Sequence, residues 1–137
     1  MIVPEELKKG FYRIPVNRHL KFELVSRSPE EAVVSMEVLP EFIQETGVLH
    51  GGLIGTLADT AAVHLFEPDL PEGKTISCIE FKINFLSPAV QGGGSVVARS
   101  RLIRRGNRVG VADVLVVQED RLVAKGTFTY LFFPRKA

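Results

Sequence analysis

The sequence predicts an α+β domain in which one long helix accompanies an antiparallel sheet of five to six strands. Residues 50–66 carry apolar side chains at the helical spacing and form the longest such stretch in the chain. Several shorter segments alternate apolar and polar residues and are separated by short turns, which is typical of strands connected as hairpins. The length of 137 residues is that of one domain. We therefore expect a single domain over residues 1–137, with residues 1–15 as an N-terminal extension.

The composition limits the classes of partner. Hydrophobic residues make up 45% of the chain and charged residues 24%, with a formal net charge of +1, so no overall attraction to nucleic acids or membranes is expected. The single cysteine excludes an intrachain disulfide framework. No apolar run approaches the ~18 residues of a membrane span, and the N-terminus lacks the apolar core of a signal peptide. We expect a cytoplasmic protein. His19, His50 and His64 fit no common ligand pattern, so we expect no metal site.

The first forty residues predict a short helix followed by a pair of strands. Pro4 suits the first position of a helix and Gly10 is a typical stop signal. This extension either packs against the domain or acts as a flap over a ligand mouth. Residues 20–26 and 32–39 read as two strands joined by a turn at residues 28–31, and Pro40 ends the second strand.

The central helix carries one charge within its apolar pattern, Asp59. On a helix, Asp59 shares its face with Gly52, Gly55, Ala62 and Phe66. Since glycine and alanine leave open space beside a carboxylate, this position can house a catalytic acid or base. The alternative is an aspartate at the rim of the buried stripe or paired with an arginine.

The start of this helix is rich in glycine. Gly51 and Gly52 present free N–H groups at the positive end of the helix dipole with no side chain to shield them. Such a terminus can bind an anion or a developing oxyanion. Each glycine also costs up to ~1 kcal/mol of helix stability relative to alanine, which suggests close approach by a neighbour or a ligand.

The second half of the chain predicts four strands. In the first of them Ile79, Phe81, Ile83 and Phe85 fall on one face. Residues 95–103, 109–119 and 122–133 complete a meander, with residues 104–108 as a hairpin connection. Five arginines lie within ten residues around that connection, which is typical either of a solvated surface or of phosphate binding. RNA binding is not expected, because this segment has no stacking aromatics. The five are Arg99, Arg101, Arg104, Arg105 and Arg108.

Taken together, these motifs resemble those of a known family. The run Gly47-x-x-His50-Gly51-Gly52 followed by Leu-Ala-Asp59-Thr-Ala is similar to the hot-dog-fold acyl-CoA thioesterases of the phenylacetate-degradation (PaaI-like) group. Residues 82–88 and 105–108 resemble the strand and hairpin that follow in those proteins, and the likeness covers residues 19–133. It implies a sheet wrapped around the central helix and hydrolysis of an acyl-CoA thioester, with coenzyme A as part of the substrate and no other cofactor.

The resemblance also implies roles for individual residues. Asp59 is expected to act as general base or nucleophile and the Gly51 N–H as oxyanion donor, while His50 orients the helix start or caps it. Gln44 stands where the family has an asparagine, and Cys78 where the family has a serine or threonine. Cys78 as a nucleophile is a further alternative. The expected substrate and coenzyme A contacts are Gly47, Gly52, Ser77, Cys78, Ser87, Pro88, Arg104, Arg105, Gly106 and Arg108.

The spacing of the two central groups predicts an assembly. Asp59 lies eight residues after Gly51, or ~12 Å along a helix, whereas both must approach one carbonyl within ~3 Å. We therefore expect a homodimer with two composite sites, or a homotetramer built from two such dimers. Phe81, Phe85 or Leu57 as lining suits an aryl or a medium alkyl chain. Two rival functions are a non-catalytic acyl-CoA sensor and, on the same fold, a dehydratase or hydratase.

Overall fold

The computed structural model describes residues 3–136, so the first two residues of the predicted extension and the last residue of the predicted domain lie outside the described part. Three helices are present within these residues: α1 (Glu5–Arg13), α2 (Pro15–His19) and α3 (Gly51–Phe66). The six strands are β1 (Glu23–Ser28), β2 (Glu31–Met36), β3 (Lys74–Phe85), β4 (Val96–Arg105), β5 (Val109–Gln118) and β6 (Arg121–Pro134). A short 3-10 turn at Pro40–Phe42 lies between β2 and α3, and another at Glu67–Asp69 lies between α3 and β3.

The six strands form one antiparallel sheet in the order β1-β2-β4-β5-β6-β3. Helix α3 packs across the inner face of this sheet and contacts β2, β4 and β5. This is the hot-dog arrangement, so the predicted fold class is confirmed. None of the helices within residues 3–136 is long and apolar enough to cross a membrane.

Small and branched side chains on α3 set its distance from the sheet. Leu57, Ala58, Ala61 and Leu65 are fully buried against the strands. Burial of each leucine contributes about 2 kcal/mol, and the alanines let the helix backbone approach closely. At Ala61 the backbone carbonyl accepts a hydrogen bond of 2.7 Å from the buried hydroxyl of Ser100 on β4. The helix is therefore fixed to the sheet by both packing and a polar contact.

The N-terminal extension is more helical than predicted. Helix α1 continues through Gly10 to Arg13, and Pro15 begins a second helix that the sequence analysis missed. The prediction that Gly10 ends the helix is wrong because the next residue, Phe11, is 99% buried and its packing holds the last turn. The first strand begins only at Glu23, after a turn in which Lys21 has φ 56°.

Strand β3 is longer than predicted and contains a β-bulge. Its register with β6 shifts between Cys78 and Glu80, which leaves Ile79 as the extra residue, 55% exposed. Cys78 pairs with Tyr130 and Phe81 with Phe128, so the bulge brings Cys78 to the same face as Phe81. That face is turned toward α3. The bulge thus adds a thiol to the inner face of the strand that carries the apolar side chains.

Candidate active site

An open groove of about 560 Å³ separates the first half of α3 from the inner face of β3. The helix and the loop before it supply one wall, and aromatic and aliphatic side chains of β3 supply the other. The four predicted catalytic residues all line this groove. Its lining consists of Gln44, His50, Gly51, Gly52, Gly55, Thr56, Asp59, Phe81, Ile83 and Phe85.

His50 is the N-cap of α3. Its Nδ1 accepts a hydrogen bond of 2.9 Å from the N–H of Gly52, which satisfies one of the free donors at the helix start. Because Nδ1 is the acceptor, the neutral ring carries its hydrogen on Nε2. The N–H of Gly51 has no acceptor among residues 3–136. A donor at the positive end of a helix, open to the groove, can stabilise a developing oxyanion.

A tight loop places Gln44 beside the helix start. The Gln44 N–H donates to the carbonyl of Val48 at 2.8 Å, and the Gly47 N–H donates back to the carbonyl of Gln44 at 3.3 Å. Gly47 has φ +76°, a left-handed conformation that favours glycine. Gly47 therefore acts through the backbone, and it is Gln44 that presents an exposed amide to the groove.

Asp59 lies half-buried at the other end of the groove and is bonded to a tyrosine. The Tyr130 hydroxyl donates to Asp59 Oδ1 at 2.5 Å and lies 3.1 Å from the Asp59 backbone oxygen. Burial raises the pKa of Asp59, and the hydrogen bond from Tyr130 partly offsets this effect. Burial and the Asp59 charge also raise the pKa of Tyr130, so the phenol stays protonated as the donor. A carboxylate of this kind can accept a proton or act as a nucleophile.

Cys78 faces the same carboxylate from β3. Burial raises the pKa of its thiol, and the negative charge of Asp59 raises it further. The thiol donates to the Glu80 carbonyl at 3.6 Å. These conditions favour the protonated thiol, which is a poor nucleophile. Ser77 pairs with Leu131 on the opposite face of the strand and is exposed, so it does not reach the groove.

A second depression of about 430 Å³ continues from the groove. The two share Gln44, Gly51 and Phe85, so the helix start lies where they meet. Ser87 and Pro88, which were predicted to contact the substrate, line the second depression. The Ser87 hydroxyl already donates to the Leu122 carbonyl at 2.6 Å.

The arginine hairpin lies at the opposite end of α3. Arg105 donates to the carbonyl of Pro29 at 2.8 Å and to that of Leu65 at 3.4 Å, and its guanidinium lies 5.1 Å from the centre of the Phe66 ring. The Gly106 N–H closes the hairpin by donating to Val109 at 2.8 Å. Leu65 is fourteen residues after Gly51 on α3, or ~21 Å along its axis. Within one protomer the hairpin is therefore remote from the Gly51 end of the groove.

Three groove features differ from the sequence analysis. Of the three alternatives for the acyl lining, Phe81 and Phe85 line the groove, whereas Leu57 does not, since it is fully buried in the core. Thr56 lines the groove and was missed, although it lies one helical turn after Gly52, to whose carbonyl it donates at 2.9 Å. Tyr130 was missed as well. The alternation of the last strand places it inward, but no local signal indicates that its hydroxyl meets a side chain 71 positions earlier.

Known proteins are similar to this chain in sequence and in fold. The sequence model of the thioesterase superfamily matches residues 46–125. Mouse acyl-coenzyme A thioesterase 13 is 30% identical over 131 residues, covering 90% of each chain. The medium/long-chain acyl-CoA thioesterase YigI of Escherichia coli is 31% identical over 136 residues, covering 88% of this chain and 86% of its own.

Solved structures share the fold. A thioesterase from Haemophilus influenzae superposes with a TM-score of 0.86 at 25% identity, covering 98% of this chain and 93% of its own. The PaaI protein from the phenylacetic acid degradation operon of Escherichia coli superposes with a TM-score of 0.84 at 24% identity, covering 94% of this chain and 92% of its own. The matched segment contains the helix start, Asp59 and the groove-facing strand β3. The chain belongs to the thioesterase superfamily.

Proposed function

We propose that this protein hydrolyses acyl-CoA thioesters to a free acid and coenzyme A. The observation that carries the proposal is the groove, in which the unbonded N–H of Gly51 and the carboxylate of Asp59 line one continuous space. The two groups are complementary to the two halves of a thioester hydrolysis, stabilisation of an oxyanion and activation of water. The names of the curated relatives support the substrate class.

The steps follow from the groups present. The Gly51 N–H, aided by the helix dipole, polarises the thioester carbonyl and holds the oxygen as it becomes negative. In the general-base route Asp59 takes a proton from water while the water oxygen attacks the carbonyl carbon. The tetrahedral adduct then collapses, the C–S bond breaks, and the thiolate of coenzyme A takes up the proton. In the alternative route an Asp59 oxygen attacks the carbonyl carbon, the C–S bond breaks and coenzyme A leaves as its thiolate. Water then cleaves the resulting anhydride to the free acid and the Asp59 carboxylate, and its proton passes to the thiolate.

The proposal includes a homodimer. Gly51 and Asp59 stand ~12 Å apart along one helix, too far for a single carbonyl to reach both. A second protomer related by a two-fold axis, with its α3 antiparallel to the first, brings Asp59 of one chain to Gly51 of the other. Each dimer then has two composite sites. Two such dimers pairing into a tetramer would leave this chemistry unchanged.

The groove also suggests the acyl group. Phe81 stacks on Phe128 with ring centres 5.0 Å apart and planes 8° from parallel, which gives the groove a flat apolar wall. Phe85 adds a second ring beside Gly51. Aryl or medium alkyl groups suit such walls. Arg104, Arg105 and Arg108 are proposed to meet the phosphates of coenzyme A in the assembled dimer, where Arg105 combines this contact with its bonds to the fold.

A thiol-release assay over aryl, medium-chain and long-chain acyl-CoAs tests the function. We expect turnover by the wild type and a fall in kcat of about 10³-fold in Asp59→Asn, because the amide cannot accept a proton. Affinity for coenzyme A should change little. Asp113→Asn is the matched control and should keep full activity, because Asp113 does not line the groove and lies between the buried Ala112 and Val114 on β5, where it accepts a hydrogen bond of 3.2 Å from Thr127. Full activity in Asp59→Asn refutes the mechanism. Tight binding without hydrolysis by the wild type refutes the enzyme and favours the sensor.

A further inference from the structure

Tyr130 has a phenol ring in the core, and its hydroxyl reaches Asp59 at the end of the groove. Its side chain is fully buried on β6, and its ring packs against Phe66 with centres 5.7 Å apart. The ring is therefore held in one orientation. Its hydroxyl is directed at Asp59, with Oδ1 at 2.5 Å. The bond runs from a neutral donor to a carboxylate, and such a bond is stronger than one between two neutral groups.

The two oxygens of Asp59 differ as a result. Oδ1 is occupied by Tyr130, whereas no donor among residues 3–136 is bonded to Oδ2. Because Asp59 also lines the groove, the unoccupied oxygen is the one available to water or substrate. A free carboxylate rotates about its χ2 angle and exchanges its oxygens. A hydrogen bond from a fixed phenol prevents that exchange.

We propose that Tyr130 is a positioning residue for the reaction: its hydroxyl fixes the carboxylate of Asp59 through Oδ1 and presents Oδ2 to the groove. The proposal rests on the function proposed above and assigns a role to a residue that does not itself touch the substrate. Tyr130 lies outside the residues 46–125 that match the superfamily model.

The charge environment gives the hydroxyl a second effect. The groups that face Asp59 are Tyr130 from β6 and Cys78 from β3, with His50 at the far end of the groove. Burial favours the protonated carboxyl, and the hydrogen bond from Tyr130 favours the ionised form. Removal of the hydroxyl should therefore leave burial unopposed, and Asp59 should take up its proton at a higher pH.

Tyr130→Phe removes the hydroxyl and keeps the ring. We expect kcat to fall roughly 10- to 100-fold because the carboxylate is no longer held in place. The acid limb of the pH profile of kcat/KM should move up by about one pH unit. Tyr12 is the only other tyrosine, and its hydroxyl accepts a 3.4 Å hydrogen bond from the Leu24 N–H away from the groove. Tyr12→Phe is the matched control and should change neither quantity.

A second measurement separates this proposal from the function. NMR titration of the Asp59 carboxyl carbon should show the same upward shift in Tyr130→Phe, whether or not the protein hydrolyses any thioester. Incorporation of fluorotyrosine in the Tyr12→Phe background labels Tyr130 alone and makes it a stronger donor, so the pKa of Asp59 should fall. If Tyr130→Phe does not fold, this labelled protein still provides the test.

Two outcomes overturn the proposal. One is a pKa of Asp59 that moves in neither the phenylalanine nor the fluorinated protein. The other is a double variant, Tyr130→Phe with Asp59→Asn, that is much slower than Asp59→Asn alone, because a residue acting only through Asp59 adds nothing once that carboxylate is gone. Absence of thioester turnover in the wild type would refute the proposed function and leave the titration result to decide the role of Tyr130.

Discussion

The two ends of α3 solve the same problem in opposite ways. Every helix leaves its first N–H groups and last C=O groups without partners inside the helix. At the C-terminal end Arg27 donates to the carbonyls of His64 and Leu65 at 3.2 and 2.6 Å, and Arg105 adds a contact to Leu65. At the N-terminal end the His50 ring caps Gly52, and the Gly51 N–H has no acceptor in the described part of the chain.

This difference in capping indicates that the C-terminal end of α3 stabilises the fold and that the N-terminal end is available for function. Guanidinium groups at a helix C-terminus complement its dipole and cannot lose their charge. Arg27 is also paired with Asp69 at 2.7 Å, and its side chain is only 6% exposed. The N-terminal end has glycines that weaken the helix and an open groove that exposes its donors. A helix anchored at one end can leave the other end free for a ligand.

The largest effect on stability is expected at the anchored end. Arg27→Met removes two carbonyl contacts and leaves Asp69 without its nearest partner, which should cost about 3–4 kcal/mol of unfolding free energy. Urea denaturation measures the loss. Arg101→Met is the control, because Arg101 is 64% exposed and 3.4 Å from Glu31, and it should cost less than ~0.5 kcal/mol. Equal losses in the two variants would contradict the anchoring role.

The pH dependence of stability should report the same end of the helix. Burial, and secondarily the charge of Arg27, lower the pKa of His64 to about 4. These effects outweigh the helix dipole, which alone favours a cation there. The unfolded chain has a histidine pKa of about 6.5, so it binds the proton first as the pH falls. Stability is therefore complete above pH ~6.5 and falls by about 3 kcal/mol as the pH approaches 4.

His64→Leu is the comparison for that prediction. The difference between the unfolding free energies of wild type and variant should be constant above pH ~6.5 and should change steadily between 6.5 and about 4. A parallel pair of curves across that window would show that His64 is not buried in its neutral form. The His64 Nε2 lies 3.3 Å from the Asn17 side-chain amide. Protonation of His64 should therefore break this contact and release the N-terminal helices from α3.

The two ends also differ in how much the sequence reveals. The N-terminal end is local: the glycines, His50 and Asp59 lie within ten residues. Their spacing on one helix predicted open space beside Asp59 and gave capping as one of two roles for His50. The C-terminal end depends on Arg27 and Arg105, which lie 38 and 40 positions from Leu65. Arginine at a strand end reads as a solvated or phosphate-binding residue until the sheet brings it to the helix. The local pattern of a sequence therefore predicts the functional end better than the structural one.

The other site features that the sequence did not predict also depend on contacts between distant segments. Alternation from Ile79 onward gave the inner face of β3 correctly for Phe81, Ile83 and Phe85. The bulge itself has no clear signal in the sequence, since it depends on the register with β6. The sequence pattern predicts that Tyr130 faces inward, but it does not predict the contact of Tyr130 with Asp59. Period and spacing reveal which face a side chain takes, whereas its contact across the core requires the fold.

A smaller effect is expected at the cap. His50→Ala removes the acceptor for the Gly52 N–H and should cost about 1 kcal/mol of unfolding free energy. His50→Asn offers another good N-cap side chain and should restore most of that loss. If His50 acts only as a cap, kcat should recover in the asparagine variant together with stability. Recovered stability with kcat still low would instead assign the ring a direct contact with the thioester.

The smallest change in stability is expected for Gly55→Ala, which should stabilise the fold and weaken substrate binding. It therefore tests directly whether the two ends of α3 differ in role. A Cβ atom at Gly55 meets nothing within 4 Å, so alanine fits there without strain. Gly55→Ala should raise the unfolding free energy by about 0.5–1 kcal/mol because alanine is the better helix former. The added methyl group enters the groove, so KM for an acyl-CoA should rise. Gly10→Ala is the control, since Gly10 is also helical with open space around it and lies outside the groove. It should raise stability and leave KM unchanged.

A gain in stability at both positions with a rise in KM at Gly55 alone would show that the glycine at the open end of α3 lowers helix stability and leaves room for the ligand. An unchanged KM in both would mean that the ligand does not approach this turn of the helix.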